Sequence, residues 1–481
     1  MSKCNIQALQ RELEALGLDT LTPARPQPGD LSDYDNWRST TDMWPLNIIR
    51  AYKGEALDLP SLVVYPESVE DVAHIVRLAA FHKACVIPVC GLSNVVGSTT
   101  PGECCIAVSL SRLDKILELR EEDRLAIVEA GVRVSELEEW LNGRGFTLAY
   151  RPQSERLACI GGSISTLGAG AYSPGYGNIE DVVLWLDVVN RRGEVIRAGS
   201  DRNPRGLILP GVNNVFLGAE GGYGIIVRAG LRVRELPEEE ADLSYTMPSF
   251  ADAISVARRA YTWNTPLMMR IQDSSESLLH YGIEDTVLLA RIAGPRSIVE
   301  GQKQYLEAII RAAGGREAPG LVEKWWRNRL SYASSVKTVL DMGLAFDTID
   351  QAAYWSVLPR LHSLLLENLA RVEGVNLVFS HASHFYPNGG SLYTTVVFER
   401  DPQVYWRVWD VAMETALKTG ASILHHHGFG LLRRKWAAAE YGGSLKLACA
   451  VKRALDPGNL FNTRSSPASY CGGLVDGGRQ A

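Results

Sequence analysis

The chain has 481 residues, 46% of them hydrophobic, a net charge of −6 and a pI near 5.9. That length suits two or three domains rather than one small core, and the acidic balance argues against a nucleic-acid partner, which needs a basic face. No apolar run reaches transmembrane length, Met1 to Leu18 reads as an amphipathic polar helix rather than a signal peptide, and eight scattered cysteines lack the density of a disulfide-built secreted domain; the chain therefore reads as soluble and cytoplasmic, with mostly reduced thiols.

Residues 1–55 combine the N-terminal helix with a proline-rich connection (Pro23, Pro26, Pro28) and an aromatic segment from Tyr34 to Trp44. A helix starts behind Ser68, with apolar positions 69, 72, 75, 76 and 79 on one face. It leads into a strand-like run, Ala84 to Val89, and then the small-residue loop Cys90-Gly91-Leu92-Ser93-Asn94-Val95, a corner suited to anions. The adjacent Cys104 and Cys105 read first as small buried strand residues, with a redox-active pair as the alternative. Glycines crowd Gly161 to Gly170, Tyr176-Gly177-Asn178-Ile179 follows, and an apolar run fills 182–189. So many positions without side chains imply backbone laid directly against something flat or charged. Another glycine turn, Gly218 to Gly224, with Glu220 inside it, feeds a β-branched strand through Ile225 and Ile226 to Val233. The acidic run Pro237 to Glu240 marks a boundary.

Helices at 250–262 and 355–369 alternate with strands at 268–271, 375–381 and 392–398, an α+β pattern with an antiparallel sheet. A long helix from Asp401 to Lys418, the run His425-His426-His427-Gly428-Phe429-Gly430, and a helix over 445–455 complete the chain. The expected organisation is an N-terminal segment (1–55), a cofactor domain (56–237), a substrate cap (238–400) and a C-terminal segment (401–481) closing onto the site.

In this order, the glycine segments, the triple histidine and the run Ser380 to Tyr393 resemble the FAD-binding oxidases of the vanillyl-alcohol oxidase and p-cresol methylhydroxylase type. The resemblance covers about residues 60–465, and within the superfamily it is closest to the alkyldihydroxyacetonephosphate synthase branch. It implies an α+β fold, with a two-subdomain FAD-binding domain and a cap built on an antiparallel sheet. It also implies FAD held by Pro88, Cys90, Gly91, Leu92, Ser93, Asn94, Val95, Gly161, Gly162, Ser165, Thr166, Gly168, Gly170, Tyr176, Gly177, Ile179, Glu220, Gly224, Ile225 and Ile226. No histidine lies in the first loop to form a covalent flavin link, so FAD is expected to be noncovalent. Leu92 departs from the family's glycine there, which makes a left-handed turn costly and puts the grip on the pyrophosphate in doubt.

Around the reactive face the resemblance places Arg270, whose planar fork suits a carboxylate or phosphate, and Tyr393, His426 and His427 as groups able to move protons. The three histidines are not expected to point into one pocket together, since successive residues of an extended segment alternate faces; His426 and His427 are expected near the flavin and His425 to contact substrate. Metal-dependent D-2-hydroxyacid dehydrogenases of the superfamily pair two histidines with a glutamate. Here Tyr393 matches the second histidine and His426 the glutamate, so no metal is expected, although His381 and His384 are nearby donors. Three activities remain open: exchange of an acyl for an alkyl group on dihydroxyacetone phosphate through flavin N5, oxidation of D-lactate or glycolate with an external electron acceptor, and flavin binding without catalysis. The substrate is expected to be a small anion, and the resemblance leaves room for a homodimer and for peripheral membrane or lipid contact.

Overall fold

The computed structural model describes residues 4–23, 41–206, 211–263, 266–331 and 336–472. Most of the aromatic segment and two of the three prolines expected over the body lie outside these residues. Local chemistry sets the first elements. The helix Val69–His82 begins with a capping box in which Ser68 Oγ accepts from the Asp71 amide at 3.1 Å and Asp71 returns an acceptor to the Ser68 amide at 3.0 Å. Its buried face is the expected one, with Val69, Val72, Ile75, Val76 and Ala79 inside.

Two small sheets carry the N-terminal half. One orders β1 (Asp19–Leu21), β2 (Leu62–Tyr65), β4 (Cys105–Ser109) and β3 (Cys85–Val89), with β2, β4 and β3 parallel. The other orders β5 (Ile116–Arg120), β6 (Leu125–Glu129), β10 (Ile225–Arg232), β8 (Val183–Val189) and β9 (Val195–Gly199), all antiparallel. A two-stranded ribbon joins β7 (Phe146–Thr147) to β11 (Arg234–Glu235). A continuous core of aliphatic side chains from both sheets and the helix Val69–His82 holds this half together.

The second half is one antiparallel sheet of seven strands, ordered β15 (Arg316–Glu317), β12 (Glu239–Met247), β14 (Thr286–Gly294), β13 (Met268–Gln272), β17 (Val375–Tyr386), β18 (Gly389–Glu399) and β16 (Leu344–Tyr354). The helices Phe250–Trp263, Arg296–Ala312, Leu358–Ala370 and Pro402–Thr419 share its core. The fold is thus the expected α+β class, two small sheets beside a cap built on a larger antiparallel one.

The cysteines depart from expectation. Cys4 is paired with Cys104, Cys85 with Cys105 and Cys90 with Cys159, with Cα separations of 6.5, 4.3 and 6.3 Å, and no described cysteine is free. The adjacent Cys104 and Cys105 turn to different partners. Pairs separated by 100 and 69 residues in sequence depend on tertiary approach, which spacing alone does not reveal. Among the described residues no helix is long and apolar enough to cross a membrane.

Candidate active site

A cavity of about 710 Å³ lies between the glycine-rich loops of the first half and the seven-stranded sheet of the second. Of the residues expected around a cofactor, Pro88, Cys90 to Val95, Gly161, Gly162, Ser165, Thr166, Gly168, Gly170, Glu220, Gly224 and Ile226 line it. Four do not. Ile225 is fully buried in the hydrophobic core, and of the two neighbours on β10 it is Ile226 that reaches the cavity. Ile179 is fully buried in the same core, Tyr176 lies beneath the Arg234 guanidinium, and Gly177 makes a turn against Asp181.

The first loop takes the left-handed turn in spite of its side chain: Leu92 has φ +48°. A non-glycine residue there costs roughly 1–2 kcal/mol, and the amides of Gly91, Leu92 and Ser93 are left without a described protein acceptor. Gly91 cannot carry a side chain, since a Cβ would collide with the Leu157 carbonyl oxygen. Gly162 is different: its Cβ would meet nothing within 4 Å and would extend into free space beside the cavity wall.

Opposite these loops, strand pairing sets a row of polar residues across the large sheet. Gln272 lies opposite His381, His381 opposite Tyr393, and Tyr393 opposite Asp350, and directly opposed residues share a face. The Tyr393 hydroxyl sits 3.1 Å from His384 Nδ1, 3.1 Å from His425 Nδ1 and 2.9 Å from His426 Nδ1. His426 and His427 line the cavity, whereas His425 lies behind it, held between Tyr393 and the Tyr386 hydroxyl at 2.6 Å. The reason is that the segment is an irregular loop, so the alternation expected of a strand does not hold through it.

Arg270 also lines the cavity. Glu276 Oε1 accepts from its Nη2 at 2.5 Å, Trp325 lies under its guanidinium, and its buried Nε has no partner. Glu276 also faces His381 Nδ1 at 3.0 Å. Burial would raise the Glu276 carboxyl, but His381 and Arg270 outweigh it and hold it well below the usual carboxylate range. Burial lowers the histidines: His425 falls to about 4, and His384 and His426 fall further below the ordinary imidazole value. Tyr393 is pushed well above the ordinary phenol. Burial thus favours the uncharged forms of His384, His425, His426 and Tyr393, and Arg270 and Arg329 are among the cations facing the cavity.

Two carboxylates fix the histidine segment. Asp350 Oδ2 accepts from the amides of His425, His426 and His427 at 2.8, 2.9 and 3.2 Å, and Asp350 Oδ1 pairs with the buried Arg433. From the first half, Glu220 accepts from the amides of Phe429 and Gly430, and Asn94 Nδ2 donates to the His427 carbonyl at 2.7 Å. The histidines are thereby tied to the loops on the other side of the cavity.

Residues 60–199 match the FAD binding domain model and residues 236–465 the model for the C-terminal domain of FAD linked oxidases. The chain belongs to the FAD-linked oxidase superfamily. It is 25% identical over 463 residues to the alkyldihydroxyacetonephosphate synthase of Caenorhabditis elegans, covering 86% of this chain and 77% of that protein. It is also 24% identical over 434 residues to the mitochondrial D-lactate dehydrogenase (cytochrome) of Arabidopsis thaliana, covering 85% and 73%. A solved structure of alkyldihydroxyacetonephosphate synthase shares the fold, with a TM-score of 0.78 at 22% identity over 96% of this chain and 85% of that one. FAD is the cofactor of this family, and the residues present fit it: three loop amides with no acceptor among the described residues, beside a left-handed turn, suit a pyrophosphate, and Gly162 leaves the adjoining wall clear.

Several cavity residues carry no local signal in the sequence. Arg151 to Ser154 and Arg156 to Cys159 line it, as do Arg329, Trp325 and Asp347. Asp350, Glu276 and Arg433, which hold the histidines and Arg270, were also missed. For Asp347 one signal was available: a strand reading Ala345, Asp347, Ile349 puts a single carboxylate among buried apolar positions, where a charge needs a partner.

Proposed function

We propose that the chain exchanges the acyl group of an acylated dihydroxyacetone phosphate for the alkyl group of a long-chain alcohol, with no net redox change. The observation that carries this is the Tyr393 hydroxyl at the centre of the histidines, bonded to three imidazole nitrogens. By the sequence resemblance, Tyr393 and His426 match the histidine and the glutamate of metal-dependent D-2-hydroxyacid dehydrogenases, and here both belong to a hydrogen-bond hub. Two further features agree. Arg270 lines the cavity with a guanidinium suited to an anionic group, and the side chains of Ile48, Ile49, Val339, Leu340 and Phe346 give part of the cavity an apolar wall suited to a hydrocarbon chain.

FAD, held noncovalently by the loops that carry Gly91, Gly162 and Gly224, would supply a nucleophilic N5 to the reaction. The protein does the rest: Arg270 binds the anionic group, the uncharged hub orders the reacting face, and one group must accept the proton that the incoming alcohol loses as the acyl group leaves as a carboxylate. His427 lines the cavity wall, and in this reading it takes that proton. The test is anaerobic mixing. Labelled fatty alcohol should enter acyl-dihydroxyacetone phosphate, and D-lactate should leave the flavin absorbance unchanged; bleaching by D-lactate without exchange would replace this reading with a dehydrogenase.

A further inference from the structure

We propose that Asp350 is a positioning residue for His427, fixing the imidazole with its proton on Nδ1 and presenting the Nε2 lone pair to the cavity. The inference rests on the exchange reaction above only for the identity of the proton donor.

The two oxygens of Asp350 do different work. Oδ2 gathers three successive amides and so fixes the path of the histidine segment. Oδ1 lies 3.0 Å from His427 Nδ1 and pairs with Arg433 on its other side. At this distance Nδ1 forms no aligned hydrogen bond, so the carboxylate holds the neutral ring through its charge facing the Nδ1–H dipole. Both Asp350 and Arg433 are fully buried. Burial alone would raise the Asp350 carboxyl, but Arg433 and His427 outweigh it and keep it well below the usual range. An ionised carboxylate only accepts, so the ring nitrogen facing it must carry the hydrogen, and a neutral imidazole then has its lone pair on the other nitrogen.

The rest of the cluster shows why this matters for His427 in particular. His384, His425 and His426 each engage the Tyr393 hydroxyl through Nδ1, whereas His427 has no hydrogen bond to it. His427 is also the member of the triple run that both lines the cavity and faces a carboxylate through its ring. In the exchange, the alcohol O–H bond breaks, its electron pair stays on oxygen, and the proton bonds to Nε2. The imidazolium so formed is balanced by Asp350, the arrangement by which a buried carboxylate orients a general base. Arg433 keeps that carboxylate from being an unpaired buried charge.

The test uses the holoenzyme labelled with 15N-histidine, with the His427 signals assigned by their loss in His427→Gln. At pH 8 the expected pattern is a protonated Nδ1 and an unprotonated Nε2; a proton on Nε2 overturns the proposal with no reference to substrate. Asp350→Asn supplies the second readout. With FAD content unchanged, kcat should fall by about 100-fold or more while KM is nearly constant, and the His427 signals should lose the single-tautomer pattern. A flavin-loaded Asp350→Asn enzyme with native kcat and the native tautomer would leave Asp350 a structural residue only. If that variant does not fold, the native spectrum still decides.

Discussion

The cofactor loops and the histidine cluster face each other across one cavity but are written into the chain in different ways. The loops depend on backbone: Gly91 has a carbonyl where its Cβ would be, and Gly162 has open space. The cluster depends on tertiary approach: His427 is oriented by Asp350, 77 residues earlier, and Asp350 is held by Arg433, 83 residues later. Cofactor binding and proton transfer should therefore fail separately.

Gly162→Val should have the largest effect, because its side chain enters space beside the cavity rather than displacing protein. The expected outcome is soluble protein without yellow flavin, read as absorbance per mole of protein; normal flavin content would make this loop structural alone. Arg433→Met attacks the other side. Leaving Asp350 as an unpaired buried charge should cost about 3–5 kcal/mol in urea unfolding, and a cost below about 1 kcal/mol would mean that Asp350 had found another partner.

Glu220 joins the two regions and gives a pH signature. Burial raises its carboxyl to about 7, against the lowering effect of the Phe429 and Gly430 amides. The folded state then binds a proton more tightly than the unfolded one, so this contribution is complete below the ordinary carboxylate range and is lost as pH rises to about 7. Glu220→Gln should remove that part of the slope, on the order of 3 kcal/mol between pH 4 and 8; an unchanged slope in apoprotein unfolding would clear Glu220 of the effect. The smallest effect is expected from Arg270→Lys, which keeps the charge and loses the planar fork. Turnover should fall about 10-fold with FAD still bound, and native turnover would move the anion site elsewhere.

The same contrast explains what the sequence made legible. Gly161 to Gly170 and Ser68 to Ala79 announce themselves locally, through missing side chains and through a cap followed by a helical period. Residues 176, 177 and 179 looked similar, yet Tyr176 and Ile179 are packing residues, because a motif does not say which face its side chains take. His426, His427 and Tyr393 were visible as unusual residues in unusual places. Asp350, Glu276 and Arg433 were not, since a lone carboxylate or arginine acquires its role only when distant strands and loops bring a partner to it. The cysteine pairs escaped for the same reason.

The most direct test of the division between cofactor binding and chemistry is His427→Ala, with flavin absorbance and turnover measured on the same sample. Full flavin content with turnover reduced by 100-fold or more is the expected result. Native turnover, or flavin lost in step with activity, would contradict it.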